Sequence, residues 1–127
     1  MASVGTTPQL EVKNFASPDE TQQFVDGKGN AEAVSIAGRT VKRLVCPPGW
    51  RWSTNVGALT GLTSCPVTHL YAVQSGRLRI RFADGGETEI KAGDVAVIPA
   101  EHDGESVGDE DCVLLDFGQF LERATTH

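Results

Sequence analysis

The chain has 127 residues, enough for one domain that buries about two-thirds of the surface its unfolded chain exposes and builds a core without staples. A formal net charge of −6 opposes polyanionic partners such as nucleic acid, whose binding draws on clustered Lys and Arg, and no stretch approaches the roughly 20 apolar residues that span a bilayer. The cysteines Cys46, Cys65 and Cys112 are odd in number, far apart and free of any CxxC pair, which fits reduced thiols in a cytoplasmic protein better than a secreted disulfide framework.

Residues 1–8 are small and polar, without the basic start and apolar run of a secretory signal, and read as a disordered N-terminus before a single domain over 9–127. The first ordered piece is 9–14. Ser17-Pro18-Asp19-Glu20 then supplies an N-cap, a proline at the first helical position and a capping-box glutamate, with Gly27 as the stop. This predicts one short N-terminal helix over 18–25. From Ala31 onward the punctuation changes to short β-rich runs separated by Gly, Pro, Asn and Asp, as in an all-β sandwich or barrel, with a core over about 31–118.

Strands are predicted over 33–37, 40–46, 66–75, 77–82, 87–91, 95–98 and 112–117. The clearest pair is a hairpin in which Leu78, Ile80 and Phe82 alternate with Arg77, Arg79 and Arg81, so the apolar set faces the core and the arginines face away. A three-residue loop at Asp84-Gly85-Gly86 sets Arg81 opposite Glu89 and Ile80 opposite Ile90. With cross-strand carboxylates at hand, the arginine stripe reads as a solvated, paired face rather than an anion site. The apolar pattern over 119–124 is too short to assign.

Two segments carry the functional information. Gly61 to Gly76 contains Cys65, His69 and Tyr71 and ends in Ser75-Gly76-Arg77; Gly93-Asp94, four residues, Pro99 and His102 follow after the hairpin. In this order and spacing the chain resembles the cupin superfamily, over about residues 41–117. Flanking residues Pro48-Gly49-Trp50-Arg51-Trp52-Ser53, Ser64-Cys65 and Val107-Gly108-Asp109-Glu110 are similar to one group of small bacterial single-domain cupins, some of whose relatives are attached to signalling or cyclase domains. The resemblance implies a jelly-roll β-barrel with a pocket at one mouth, and a homodimer. It does not imply one reaction. Two of the four usual cupin ligand positions fall on Thr63 and Gly104; Cys65 and His69 occupy the other two, and the second-motif histidine sits two residues early, at His102.

Positions that differ by an even number share a face of an extended strand, so Cys65, His69 and Tyr71 share one face, as do His102 and Gly104. A thiolate and two imidazoles from Cys65, His69 and His102 suit Zn²⁺, Fe²⁺ or Ni²⁺. Asp103 and Glu101 are the nearby carboxylates, although parity sets Asp103 opposite His102. A metal-free pocket with a hydrogen-bonded histidine and a buried cysteine is the other reading. Trp50 and Trp52 share parity and either wall the mouth or pack under the following loop; Glu105 is either a substrate handle or a rim charge. A Cys65–His69 nucleophile pair is disfavoured, since residues four apart on a regular strand are separated by about 13 Å of rise. Beyond the pocket no catalytic set, phosphate loop or dinucleotide fingerprint is visible. The ligand-binding candidates are thus Trp50, Trp52, Cys65, His69, Tyr71, His102 and Glu105. Three functions remain: a module binding a small organic ligand with or without a metal, a metal-dependent oxygenase or isomerase acting on a small polar substrate, or a structural dimerisation domain with a plugged pocket.

Overall fold

The computed structural model describes residues 9–119; the expectations for residues 1–8 and 120–124 lie outside them. Among the described residues nine strands form two sheets: β1 (Glu20–Gln23), β2 (Asn30–Ile36), β3 (Arg39–Cys46), β4 (His69–Ser75), β5 (Arg77–Phe82), β6 (Glu87–Lys91), β7 (Val95–Ile98), β8 (His102–Val107) and β9 (Cys112–Gln119). One sheet has the order β1-β2-β3-β9-β4-β7 and the other β6-β5-β8. They close over a core that includes Leu44, Tyr71, Val73, Leu78, Ile80, Ile98 and Leu114, all inward members of alternating strands. The result is the all-β, jelly-roll-like barrel that the sequence implies. Among the described residues no helix is long and apolar enough to cross a membrane.

The predicted hairpin is β5–β6, with Leu78 and Ile80 buried and the arginines outward. Its register is shifted: Arg81 faces Glu87 and Arg79 faces Glu89, with Leu78 opposite Ile90. The three-residue loop sits one position earlier, at Ala83-Asp84-Gly85, because Phe82 N–H donates to Gly86 O at 2.9 Å, while Asp84 Oδ1 accepts the Gly86 N–H at 2.8 Å in an Asx-type turn. Charge pairing survives the shift, with Arg81–Glu87 at 2.7 Å and Arg79–Glu89 at 3.2 Å.

The helix expected over 18–25 is absent. Its middle, Glu20–Gln23, is β1, paired antiparallel to β2, and a 3-10 turn follows at Val25–Gly27. Within the expected first turn, the Asp19 carboxylate accepts the Ser35 N–H at 2.7 Å, and the Asp19 N–H donates to Ala33 O. A two-turn helix is marginal alone, and the open edge of β2 offers these backbone groups a full ladder. Among the described residues the one short α-helix, α1 (Trp52–Asn55), lies instead in the loop after β3. Asp103 at the start of β8 accepts the Ser53 N–H at 2.9 Å and its hydroxyl at 2.7 Å; Asn55 Nδ2 donates to Val25 O at 2.9 Å. Gly57 follows because a Cβ there would strike the Leu62 carbonyl and lie 2.5 Å from the Trp52 ring.

Candidate metal centre and adjoining cavity

β4 begins only at His69. Pro66 has no N–H to give a ladder and the chain bends at Val67, so the regular strand expected from residue 66 does not form. Cys65 instead bridges to His102 at the start of β8: Cys65 N–H donates to His102 O at 2.7 Å and Glu101 N–H to Cys65 O at 2.6 Å. Glu101 holds a left-handed φ of +66, a costly conformation for a non-glycine residue that here reverses the chain after Pro99. Two chain segments far apart in sequence are thereby tied at the positions of the thiol and the second imidazole.

Across this junction Cys65 Sγ lies 3.3 Å from His69 Nε2. Donor atoms of Cys65, His69 and His102 all lie within 4.8 Å of one another. Each imidazole is held by its other nitrogen. His102 Nδ1 is 2.6 Å from Pro99 O, which leaves Nε2 as its free donor. His69 Nδ1 is 3.3 Å from Asp116 Oδ2 on β9, an ion-pair contact without the alignment of a full hydrogen bond. Asp116 is buried, and its Oδ1 accepts the Gly118 N–H at 2.9 Å. The Tyr71 ring stacks on His69 with centroids 5.0 Å apart.

Burial disfavours charge on Cys65, yet hydrogen bonds from His102 and His69 outweigh it and bring the thiol from 9.0 down to about 6. Burial likewise works against an imidazolium at His69, but Asp116 and Cys65 lift it from 6.5 to about 9. Without a metal, the pair at neutral pH is a thiolate against an imidazolium. Sulfur, imidazole and carboxylate in a row are the parts of an activated nucleophile. Cys65 is only 3% exposed, however, and lines neither cavity described below, so no substrate reaches its sulfur through them.

The donor set fits a metal instead. Zn–S and Zn–N bonds of about 2.3 and 2.0–2.1 Å about a tetrahedral centre set sulfur and nitrogen roughly 3.5 Å apart, close to the Cys65–His69 separation. Metal-bound histidines give their second ring nitrogen to a carboxylate or backbone carbonyl, and His69 and His102 show one of each.

A family model described as a cupin domain matches residues 52–118, just over half of the chain. The chain is a cupin. A search of curated proteins gives no match. Among solved structures the cupin is similar to a protein of unknown function (DUF1255) from Acidithiobacillus ferrooxidans, at 24% identity and TM-score 0.58, covering 87% of this chain and 98% of that one. It is similar also to the polyketide cyclase RemF from Streptomyces resistomycificus (12% identity, TM-score 0.59, 91% and 89% covered). A third is a cupin 2 conserved barrel domain protein from Salinispora arenicola (18%, TM-score 0.54, 87% of each). At these identities the likeness is one of fold.

In this cupin a cavity of about 430 Å³ opens beside the donor cluster, against the inner face of the six-stranded sheet. Phe24, Leu44, Trp52 and Val56 supply apolar wall, and His69, Tyr71 and Asp116 a polar end. Of the three donor residues only His69 touches it. Between the two sheets, a second void of about 10 Å³ touches Trp50, Tyr71, His102 and Gly104.

Five of the seven residues singled out from the sequence converge here: Cys65, His69 and His102 in the cluster, Tyr71 and Trp52 on the cavity wall. Trp50 does not reach the cavity. It is 2% exposed and packs in the core against Phe24, with ring centroids 5.9 Å apart. Glu105 is a correction as well, because its odd position on β8 turns it to the outer face, where Arg51 and Arg81 hold it at 3.2 and 3.5 Å. Asp103 and Glu101 also stay outside the cluster, occupied by Ser53 and Ser64. The separation of about 13 Å expected between Cys65 and His69 fails because the chain bends between them. Asp116 went unnoticed, although a carboxylate sharing strand parity with Cys112 and Leu114 in an apolar run is a signal for a buried, paired acid.

Proposed function

We propose that this cupin holds one divalent metal on Cys65, His69 and His102 and receives a small organic ligand in the adjoining cavity, acting as a binding module. One observation carries the reading: both imidazoles are anchored through Nδ1, to Asp116 and to Pro99 O, and the free nitrogen of His69 meets the Cys65 sulfur. A thiolate with two imidazoles suits Zn²⁺ first and Fe²⁺ or Ni²⁺ after it. When bound, the metal supplies a Lewis-acidic centre with a position beyond the three protein donors. Binding is favoured over an oxygenase or isomerase because the cavity meets the cluster only at His69, on the side of Tyr71 and Asp116.

Competition for Zn²⁺ against a chromophoric chelator tests this. One site per chain is expected, weakened about 100-fold or more in Cys65→Ser, His69→Ala and His102→Ala; equal affinity in all four proteins would remove the site. Cys46, Cys65 and Cys112 are all free thiols, which goes with the cytoplasmic setting that is part of this proposal. The homodimer is part of the same proposal: β7 ends the six-stranded sheet with Val95 and Val97 71% and 48% exposed, an edge able to pair with its own copy about a twofold axis. Light scattering on the wild type and Val97→Lys checks it, and a wild type that is monomeric throughout would rule it out.

A further inference from the structure

Across the inner face of the six-stranded sheet, strand register sets Glu20, Ala33, Lys42, Asp116 and Tyr71 in one row, and all five line the cavity. Most cations of the described residues have partners. Lys13 meets Asp19, Arg43 meets Glu32, Arg51 meets Glu105, Arg77, Arg79 and Arg81 meet Glu89 and Glu87, Lys91 meets Asp94, and Lys28 donates to Pro48 O. Arg39, exposed at the start of β3, and Lys42 have none, and Lys42 lacks one although it stands directly opposite Asp116 in register. The Asp116 oxygens are engaged by His69 and by the Gly118 N–H instead. An acidic chain thus keeps an unpaired ammonium on an apolar cavity, at its exposed edge. Glu20, the other rim charge, is two strands away from it, about 10 Å by strand spacing.

We propose that the cavity takes an amphipathic carboxylate, with its acid group on Lys42 at the mouth and its apolar body against Phe24, Leu44, Trp52 and Val56. The assignment rests on the ligand cavity proposed above and adds the chemical class of the occupant. A charge-assisted contact at the rim gives selectivity for the anion, while the walls contribute affinity in proportion to the apolar area covered. Ala33, between Glu20 and Lys42 in the row, keeps the space beneath the ammonium open.

The probes are octanoate, octanol and octylamine, which share an alkyl chain and differ in head group. Titrations of the full chain are followed by tryptophan fluorescence, with Trp52 on the cavity wall as reporter. Octanoate is expected to bind about threefold more tightly than octanol, as an exposed charge pair contributes, and octylamine more weakly than either. In Lys42→Gln the octanoate preference disappears while octanol binding is retained, and Ala33→Leu, which fills the cavity, weakens both. Equal binding of octanoate and octanol by the wild type, or a preference that survives Lys42→Gln, overturns the carboxylate assignment and leaves the cavity as a ligand site. A preference for octylamine overturns it in favour of Glu20. If none of the three binds, the assignment and the ligand cavity fall together.

Discussion

Asp116→Asn isolates the carboxylate that orients His69. The change keeps side-chain size and an acceptor for the Gly118 N–H, and it removes a negative charge 3.3 Å from His69 Nδ1. The rise of His69 from 6.5 to about 9 corresponds, at about 1.36 kcal/mol per pH unit, to about 3 kcal/mol in favour of the protonated ring. Burial opposes that charge, and Asp116 is the largest of the causes that raise it, so losing Asp116 lowers the titration midpoint by roughly 1–3 pH units. Because the folded value is raised, the stabilisation is fully present below pH 6.5 and is lost as pH rises through about 9. Asp116→Asn should therefore cost the metal-free protein more near pH 6 than near pH 10, by roughly 1–3 kcal/mol. Nuclear magnetic resonance of the His69 ring gives the midpoint, and urea unfolding at the two pH values gives the energies. A midpoint still near about 9 in Asp116→Asn, or equal destabilisation at both ends, would refute the proposed coupling.

The remaining expectations are simpler. In metal-free protein the Cys65 thiolate should absorb in the ultraviolet with a midpoint near about 6, while burial holds Cys46 and Cys112 above their usual range; stability contributed by this thiolate is full above pH 9.0 and lost as pH falls through about 6. No absorbance change below about pH 8 would contradict that. Gly76, in the turn between β4 and β5, has φ +75, and a Cβ there would lie 2.5 Å from Asp111 O and 2.6 Å from Cys112 Cα. Gly76→Ala should cost at least about 2 kcal/mol in urea unfolding, and a loss below about 0.5 kcal/mol would show that the turn relaxes freely.

Alternation made much of the barrel legible. The β5 span follows directly from apolar residues at every second position, and the Gly93-Asp94 to Pro99 segment fixes β7 as a short strand between a turn and a residue that cannot continue the ladder. The 18–25 stretch was misread because a capping pattern is local, whereas the partner that makes it a strand, β2, is a tertiary fact. Parity correctly excluded Asp103 from the cluster and, carried one residue-pair further, would have excluded Glu105 too. Convergence of Cys65 with His69 was not readable from spacing, since it depends on a bend beside Pro66 and on the left-handed Glu101. Asp116 was readable in principle: one acid among inward-facing apolar residues requires a buried partner.

Elemental analysis of untagged wild-type protein beside His102→Ala bears most directly on the cluster. Close to one transition-metal ion per wild-type chain, and a small fraction of that in His102→Ala, is the predicted result. Metal-free wild type that stays metal-free after incubation with Zn²⁺, Fe²⁺ and Ni²⁺ would contradict it, and Cys65, His69 and His102 would stand as a hydrogen-bonded core cluster.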